Sequence, residues 1–538
     1  MRNRLYARNP AAWKFAMAKN ILIFSDGTGQ AGGIRFDENR TNIYKLYRAT
    51  RCGPDSNIHP DDQVTFYDPG LGSPADGGFM FGKSGRWMYN IASQATGLGV
   101  TANITDCYAA LIRLYRDGDR IFLFGFSRGA YTVRCLAAVI AKCGIPRCLP
   151  GGRPVPLDIR GSRKLAEYAV KNVYQFCSSK PRKAPGSYRN FMLDTRDLIA
   201  ERFRREHCSG DPQDPRKANV YPYFIGVFDT VAALGRTGAI VLLAAAAAAI
   251  VALISWLVSF LSLPAFSNVS FIGWLLRYLT FENVFCTLAG AIVLAGLIAL
   301  LRNYVKYDFR VPGYGLLKSL ATIHLAPRKQ KFTDYYLNVN VGYAKHAISI
   351  DEDRRDFKRV PWTPDAAKAG VRDPFGNIYF EQVWFCGVHA DVGGGYLENE
   401  SRLSDITLKW MLAAASIVPN GIKHDEAVLR LFPDPAGPQH DECKAGHWQR
   451  GLRELPADPK TGISFATMHK SVYARFAAAQ VVQYDLAAPY RPVNLKNHVD
   501  FSHYYGDGAT GAIPEPKAIA DNIEAKWERQ LADSGAKS

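Results

Sequence analysis

The chain lacks the cysteine patterns and leader segments that assign many proteins to a class. Its ten cysteines in 538 residues are scattered, and no two of them form a Cys-x-x-Cys pair. This excludes a disulfide framework, and a reducing compartment fits at least as well as an oxidising one. Residues 1–20 are basic but contain no continuous apolar segment, so a cleavable signal peptide is not expected.

Nucleic-acid motifs are also missing, although the net charge is +17 and the isoelectric point is about 9.3. The sequence has no zinc-finger spacing, no aromatic RNA-binding motif and no long Lys/Arg block. Nucleic acid is therefore not an expected partner. Anionic phospholipid fits the positive charge better, because the chain also carries long apolar runs.

Apolar runs that end in polar turns alternate with helical periodicity from residue 20 onward. Three of the strand-like runs lie at 20–25, 63–67 and 120–126. This alternation predicts an α/β fold, with a mostly parallel sheet that is covered by helices on both faces. In such sheets the chemistry collects at the carboxyl ends of the strands.

Composition divides the chain into five parts. The α/β core is predicted to be interrupted by a helical insertion at about 151–219 and by a transmembrane hairpin. The parts are a basic tail (1–19), the first part of the core (20–235), the hairpin (236–304), the second part of the core (305–415) and a C-terminal helical and loop region (416–538).

The hairpin prediction depends on two apolar runs. Residues 237–276 contain no charged side chain, and 238–263 are enough to cross a bilayer as a helix. A second run, 284–301, is near the lower length limit. The alternative is a pair of buried core helices, although the first run is apolar on all faces. The basic residues that follow the second run favour a cytoplasmic catalytic face, and these are Arg302, Lys306 and Arg310.

The motif Gly125-Phe-Ser127-Arg-Gly129 predicts a nucleophile. It follows a strand-like run and precedes a helical one, which is the context of the nucleophile elbow in α/β-hydrolases. A serine hydroxyl needs a histidine that takes its proton and a carboxylate that orients the histidine. An ordinary buried turn is the alternative interpretation.

His389 is the best candidate base, because it follows a strong strand and enters a glycine-rich turn. The other histidines considered, His346, His424 and His469, lie in helical or polar sequence settings, where a surface position is expected. Asp229 ends another strand and is the predicted orienting acid. Asp391 is its competitor, and we expect it to cap the glycine-rich turn or, less favourably, to ligate a cation.

An oxyanion hole needs backbone N–H groups that face the developing charge. One N–H is expected from Arg128, directly after the nucleophile. The other is expected from the turn Asp26-Gly27-Thr28, where Asp26 is also a plausible turn former. No metal or cofactor is expected.

These motifs, in this order, resemble the catalytic domain of the type VI secretion phospholipase effector family 1. The resemblance covers about residues 20–235 and 305–415. Its motifs are Phe24-Ser-Asp26-Gly27-Thr28, Thr41-Asn42, Gly125-Phe-Ser127-Arg128-Gly129-Ala130, Phe228-Asp229-Thr230-Val231, Ala347-Ile-Ser-Ile-Asp351-Glu352-Asp-Arg354-Arg-Asp-Phe357 and Val388-His389-Ala-Asp391-Val-Gly-Gly-Gly-Tyr396.

The resemblance implies an α/β-hydrolase with the triad Ser127, Asp229 and His389 that cleaves acyl esters of phospholipids. Gly29-Gln30 departs from the aromatic residue and Asn that commonly follow Asp-Gly-Thr, and the apolar insertion occurs in only some relatives. A secreted effector, with a secretion-apparatus or immunity partner, and a resident membrane hydrolase both stay open.

Two other functions stay open. One is an esterase, thioesterase or acyltransferase that acts on a soluble substrate, with the hairpin as an anchor. The other is a catalytically silent membrane adaptor, against which an intact serine, histidine and acid argue.

Overall fold

A computed structural model of the chain describes ten segments, and the account below is limited to them. They are residues 18–27, 39–70, 98–178, 181–231, 248–258, 281–325, 335–364, 367–444, 448–505 and 516–535.

Six parallel strands form the central sheet. They are β1 (Asn20–Ser25), β2 (Gln63–Asp68), β3 (Arg120–Phe126), β4 (Phe224–Phe228), β5 (Tyr343–Ser349) and β6 (Phe380–Phe385). Their order across the sheet is β6-β5-β4-β3-β1-β2, and every neighbouring pair is parallel. The strand order reverses between β1 and β3, and in such sheets a ligand crevice lies at this point, outside the carboxyl ends. The predicted α/β class with a mostly parallel sheet is confirmed.

Helices bury both faces of the sheet. The described helices are α1 (Asn42–Thr50), α2 (Leu98–Leu114), α3 (Arg128–Cys143), α4 (Ile159–Tyr168), α5 (Tyr188–Glu206), α6 (Phe281–Tyr304), α7 (Leu316–Leu320), α8 (His389–Gly393), α9 (Arg402–Ser416), α10 (Lys470–Ala477) and α11 (Ile523–Gly535), and 248–258 are also helical. One apolar core lies between the sheet and α2, α3, α4 and α5. A second lies between the opposite face and α1 and α9. Apolar residues point to alternate faces of each strand, which is why one sheet supports two cores.

The segment predicted as a helical insertion contains α4, a π-helical turn at Ala169–Val173, a 3₁₀ turn at Tyr174–Phe176 and α5. Residues 148 and 208 form a disulfide at this insertion. The scattered cysteines predicted no disulfide framework, and this single bridge forms because the chain folds back over a sequence separation of 60 and brings the two sulfurs together. Outside the central sheet, short antiparallel strand pairs form at Cys148–Leu149 with Arg153–Pro154, Val305–Lys306 with His324–Leu325, and Val481–Gln483 with Leu486–Ala488.

The predicted transmembrane hairpin at 236–304 is not supported. Among the described residues, no helix has both the length and the apolar character that a bilayer crossing needs. The first predicted run is described only at 248–258, and the rest of it lies outside the described residues. The second run, 284–301, lies within α6.

The C-terminal region packs against the core. Trp384 on β6 donates its backbone N–H to Thr467 and accepts from His469 (2.9 and 3.0 Å). Apolar residues of 466–501 form a third cluster with Trp384 and Ile348. This packing brings residues far along the chain to the end of the sheet where the candidate site lies.

Candidate active site

The turn between β3 and α3 holds Ser127 in a strained backbone conformation. Its φ of 57° and ψ of −118° lie in a region that side chains rarely adopt. The flanking glycines permit the sharp turn, since a Cβ on Gly125 would lie 2.5 Å from the Gly129 oxygen. A Cβ on Gly129 would lie 1.9 Å from the Ser25 oxygen. Strain of this kind is typical of functional sites, and here it places the serine at the start of a helix.

Ser127 is fixed at the carboxyl edge of the sheet. Its backbone N–H donates to the Phe228 oxygen at the end of β4 (3.1 Å). Its side chain makes no capping bond to α3, so the hydroxyl is not used to cap the helix. Arg128 is the first residue of α3, where backbone N–H groups have no partner within the helix. Burial lowers the pKa of the Arg128 guanidinium to about 10.

The predicted acid and base, Asp229 and His389, lie in contact. His389 begins α8 after β6, and its Nδ1 lies 2.5 Å from Oδ2 of Asp229. Both side chains are buried, and the Nε2 atom of His389 has no hydrogen-bond partner. The ring of Phe126, next to Ser127, packs against the imidazole with centroids 4.6 Å apart. Nε2 of His389, the nitrogen that would accept the proton of a nucleophile, is therefore free, and Nδ1 is held by the Asp229 carboxylate.

Asp229 receives three donors. Besides His389, Arg453 donates through Nη1 (2.5 Å) and Ser349 through its backbone N–H (3.2 Å), both to Oδ1. Burial raises the pKa of Asp229, but the Arg453 charge and the bonds from His389 and Ser349 outweigh it and hold the pKa well below its usual value. Asp229 is thus an ionised, immobile carboxylate. Arg453 was not predicted, because nothing in its local sequence distinguishes it from a surface arginine.

The block at 347–357 supports the histidine loop. The Oε2 atom of Glu352 accepts the backbone N–H of His389 (3.0 Å), and Glu352 also pairs with Arg354 (2.7 Å). Arg354 lies over the Phe357 ring, 3.5 Å from its centroid, and that ring meets His389 edge-on at 5.4 Å. Asp351 accepts the backbone N–H of Gly387 (2.6 Å). The block thus binds the backbone on both sides of the base.

Asp391 does not contact the Nδ1 atom of His389. Its Oδ2 accepts the backbone N–H of Val388 (3.0 Å), and its Oδ1 lies 2.7 Å from Nδ1 of His440. The ring of Tyr396 stacks on His440 at 3.5 Å. Asp391 therefore caps the start of α8, one turn earlier than the glycines that we expected it to cap.

Asp26 follows β1, beside the nucleophile turn. It accepts from Thr41 (2.6 Å), Tyr67 (2.8 Å) and the backbone N–H of Gly27 (2.7 Å). Burial raises the pKa of Asp26 to about 7, against the opposing effect of these bonds. Because the Gly27 N–H is used by Asp26, it is not a free oxyanion donor. Thr28, the other predicted donor of this turn, lies outside the described residues.

Two histidines predicted in helical or polar settings are buried. His346 lies on β5, and burial together with Arg134 and Arg359 lowers its pKa to about 3. His469 caps α10 and lies 2.9 Å from Glu524. The surface position expected for these two histidines is therefore wrong, because the residues that bury them come from other parts of the chain.

A metal-ligand geometry occurs once among the described residues, at Asp353, Asp441 and Cys443. Arg450 pairs with both of these aspartates, so a guanidinium already occupies the side of the cluster where a metal ion would bind both carboxylates. The geometry at Ser127 can instead perform nucleophilic chemistry. A serine on a strained turn, a buried imidazole with a free nitrogen and an ionised aspartate all lie at one sheet edge.

A family model of the type VI secretion system phospholipase effector Tle1-like catalytic domain matches residues 19–257 and 310–414. An uncharacterized protein of Saccharomyces cerevisiae is 24% identical over 460 residues, which are 79% of this chain and 60% of that protein.

Two solved structures are also similar. A crystal structure of an uncharacterized protein from Pseudomonas aeruginosa has 14% identity and a TM-score of 0.31, covering 76% of this chain and 47% of that one. A Tle1 effector bound to the VgrG spike of the type VI secretion system has 14% identity and a TM-score of 0.25, covering 72% and 53%. The chain thus spans about half to three-fifths of the length of these relatives.

Proposed function

We propose that the chain is a serine hydrolase of phospholipid acyl esters. The premise is that it belongs to the family of type VI secretion Tle1-like phospholipase effector catalytic domains. The observation that carries the mechanism is the buried His389, with Nδ1 held 2.5 Å from Asp229 and Nε2 unpartnered. This is the arrangement that a general base beside a serine requires.

In the proposed reaction, the Ser127 Oγ attacks the acyl carbon while its proton passes to Nε2 of His389. The same nitrogen then returns the proton to the leaving alcohol as the ester bond breaks. Water repeats both steps on the acyl-enzyme and releases a fatty acid. Asp229 holds the imidazole in one tautomer and stabilises its charged form. The Arg128 N–H is the proposed donor to the oxyanion.

Membrane association is the second part of the proposal, and it is supported by exposed apolar side chains. Leu316 and Leu317 on α7 are 75% and 84% exposed, and the exposed Lys318 follows them. Other exposed apolar residues lie on 248–258, on α6 and on the chain that leads to α7, among them Trp256, Leu294, Tyr307 and Phe309. Exposed apolar surface beside positive charge is typical of proteins that bind an anionic bilayer from one side.

Family membership also supports delivery as an effector, with a secretion-apparatus partner and an immunity partner. A resident membrane hydrolase is the alternative localisation. Both forms of the proposal need the same chemistry at Ser127.

The experiment is covalent labelling of the purified chain with a fluorophosphonate probe, combined with hydrolysis of a short-chain nitrophenyl ester. We expect labelling and hydrolysis to be lost in Ser127→Ala and retained in Ser416→Ala, which removes another buried hydroxyl. Equal labelling of Ser127→Ala and the parent chain would overturn the assignment of the nucleophile.

A further inference from the structure

We infer that Arg453 is a positioning residue of the proposed site, and that the C-terminal region is therefore part of the catalytic unit. This inference rests on the proposed function. Arg453 lies beyond residues 310–414, the last segment that the family model matches. It is separated from Asp229 by 224 residues, yet the two side chains meet in the interior.

The two oxygens of Asp229 are divided between base and cation. Oδ2 lies 2.5 Å from Nδ1 of His389, and Oδ1 lies 2.5 Å from Nη1 of Arg453. The aspartate side chain is fully buried, and the arginine side chain is only 5% exposed. Because each oxygen has its own strong donor, the carboxylate cannot rotate without losing a charged bond.

The second arm of Arg453 joins Asp229 to the wall of the site. Its Nη2 atom donates to the backbone oxygen of Phe357 (2.8 Å). The Phe357 ring in turn contacts the His389 ring. One planar guanidinium therefore fixes the orienting acid and the aromatic neighbour of the base together. A lysine ammonium is a point donor and does not present this fork.

Other charged groups surround this pair. The Arg359 charge interacts with Asp229, and the Glu352 charge interacts with Arg453 and faces His389. His346 also lies near Asp229, but its lowered pKa keeps it neutral. Arg359 lies over the Trp384 ring, 5.4 Å from its centroid, and is a second cation near Asp229. It is therefore a matched control, since Arg359→Met removes a nearby charge without removing the hydrogen bonds that Arg453 makes.

The test compares Arg453→Met, Arg453→Lys and Arg359→Met by pH profiles of kcat/KM on a soluble nitrophenyl ester. Misplacing a reacting group by about 1 Å costs on the order of 10²-fold in rate, and we expect a loss of this size in Arg453→Met. We also expect the acid limb of its profile to move to higher pH, because the buried Asp229–His389 pair takes up a proton more easily once the nearby cation is gone. Arg453→Lys should keep the acid limb at the pH of the parent chain but retain only part of the parent rate.

A proton NMR measurement separates this inference from the proposed function, since it needs no turnover. The bond from His389 to Asp229 should give a strongly low-field imidazole proton, assigned by its absence in His389→Gln. We expect the resonance to be lost in Arg453→Met and kept in Arg359→Met. If Arg453→Met does not fold, Arg453→Lys is expected to fold and to shift the resonance.

Two results would overturn the inference. One is an Arg453→Met chain with the parent resonance and pH profile. The other is an equal acid-limb shift in Arg359→Met, which would show a general charge effect. Failure of the proposed function would look different, because Ser127→Ala would then keep ester hydrolysis whatever the state of Arg453.

Discussion

Replacing Glu352 with glutamine should weaken both the fold and the site. The two oxygens of Glu352 accept four donors. Oε1 accepts the backbone N–H of Arg354 (2.9 Å) and its Nε (2.7 Å), and Oε2 accepts Nη2 of Arg354 (2.9 Å) and the His389 N–H (3.0 Å). Glutamine offers a single oxygen, so its amide nitrogen would face donors on one side.

The magnitude follows from burial. The Glu352 side chain is 0% exposed and that of Arg354 is 7% exposed. Breaking a buried ion pair by removing one partner costs about 3–5 kcal/mol. Glu442 stays 3.2 Å from the arginine, so we expect the low end of this range. Loss of the bond to the His389 N–H should move the loop, and a shift of about 1 Å lowers kcat on the order of 10²-fold.

Urea unfolding and hydrolysis of a soluble ester measure these two effects. Glu442→Gln is the matched control, because it removes the outer carboxylate from the same arginine, where the side chain is 26% exposed. We expect this control to cost about 1 kcal/mol or less and to keep a near-normal rate. If Glu352→Gln were no weaker than Glu442→Gln in both assays, the proposed support of the histidine loop would be wrong.

Three further predictions concern packing, pH and the exposed surface. Gly129→Ala would place a Cβ 1.9 Å from a backbone oxygen of β1, so we expect the free energy of unfolding to fall by about 1–3 kcal/mol or more. An unchanged Tm would contradict this prediction. Burial raises the pKa of Glu524, but His469 and its other contacts outweigh burial and lower the pKa to about 2. This carboxylate therefore stabilises the fold above about pH 4.5, and the stabilisation is lost as the pH falls toward 2. In acid titrations of stability, Glu524→Gln should flatten the profile in that window, and the same slope in both chains would refute the assignment. Leu317→Ser should reduce cosedimentation with phosphatidylglycerol vesicles. The control Leu486→Ser, at a site that is 70% exposed, should not reduce it, and equal binding by the two variants would contradict the proposed membrane-binding surface around α7.

Features encoded in short segments were predictable from the sequence. The apolar runs that became β1, β3 and β4 end in Asp26, Ser127 and Asp229, and parallel strands bring their carboxyl ends to one edge. The glycines around Ser127 indicate the sharp turn, because only small residues fit there. The pairing of Asp229 with His389 then follows from the order of the motifs.

Features that depend on distant partners were not predictable. The strand β5 carries Lys345 and His346 and therefore does not look apolar, but Glu381 on β6 neutralises the lysine at 2.7 Å. Arg453 acquires its role only because the C-terminal region folds back onto the core. The transmembrane hairpin was predicted from hydropathy alone, and no helix among the described residues supports it.

The most direct test of the central claim is product analysis with phospholipid labelled in both acyl chains and the headgroup. The purified chain should release labelled fatty acid and lysophospholipid without diacylglycerol, and Ser127→Ala should release neither above background. Release of the same products at the same rate by Ser127→Ala would contradict the account, as would diacylglycerol as the main product of the parent chain.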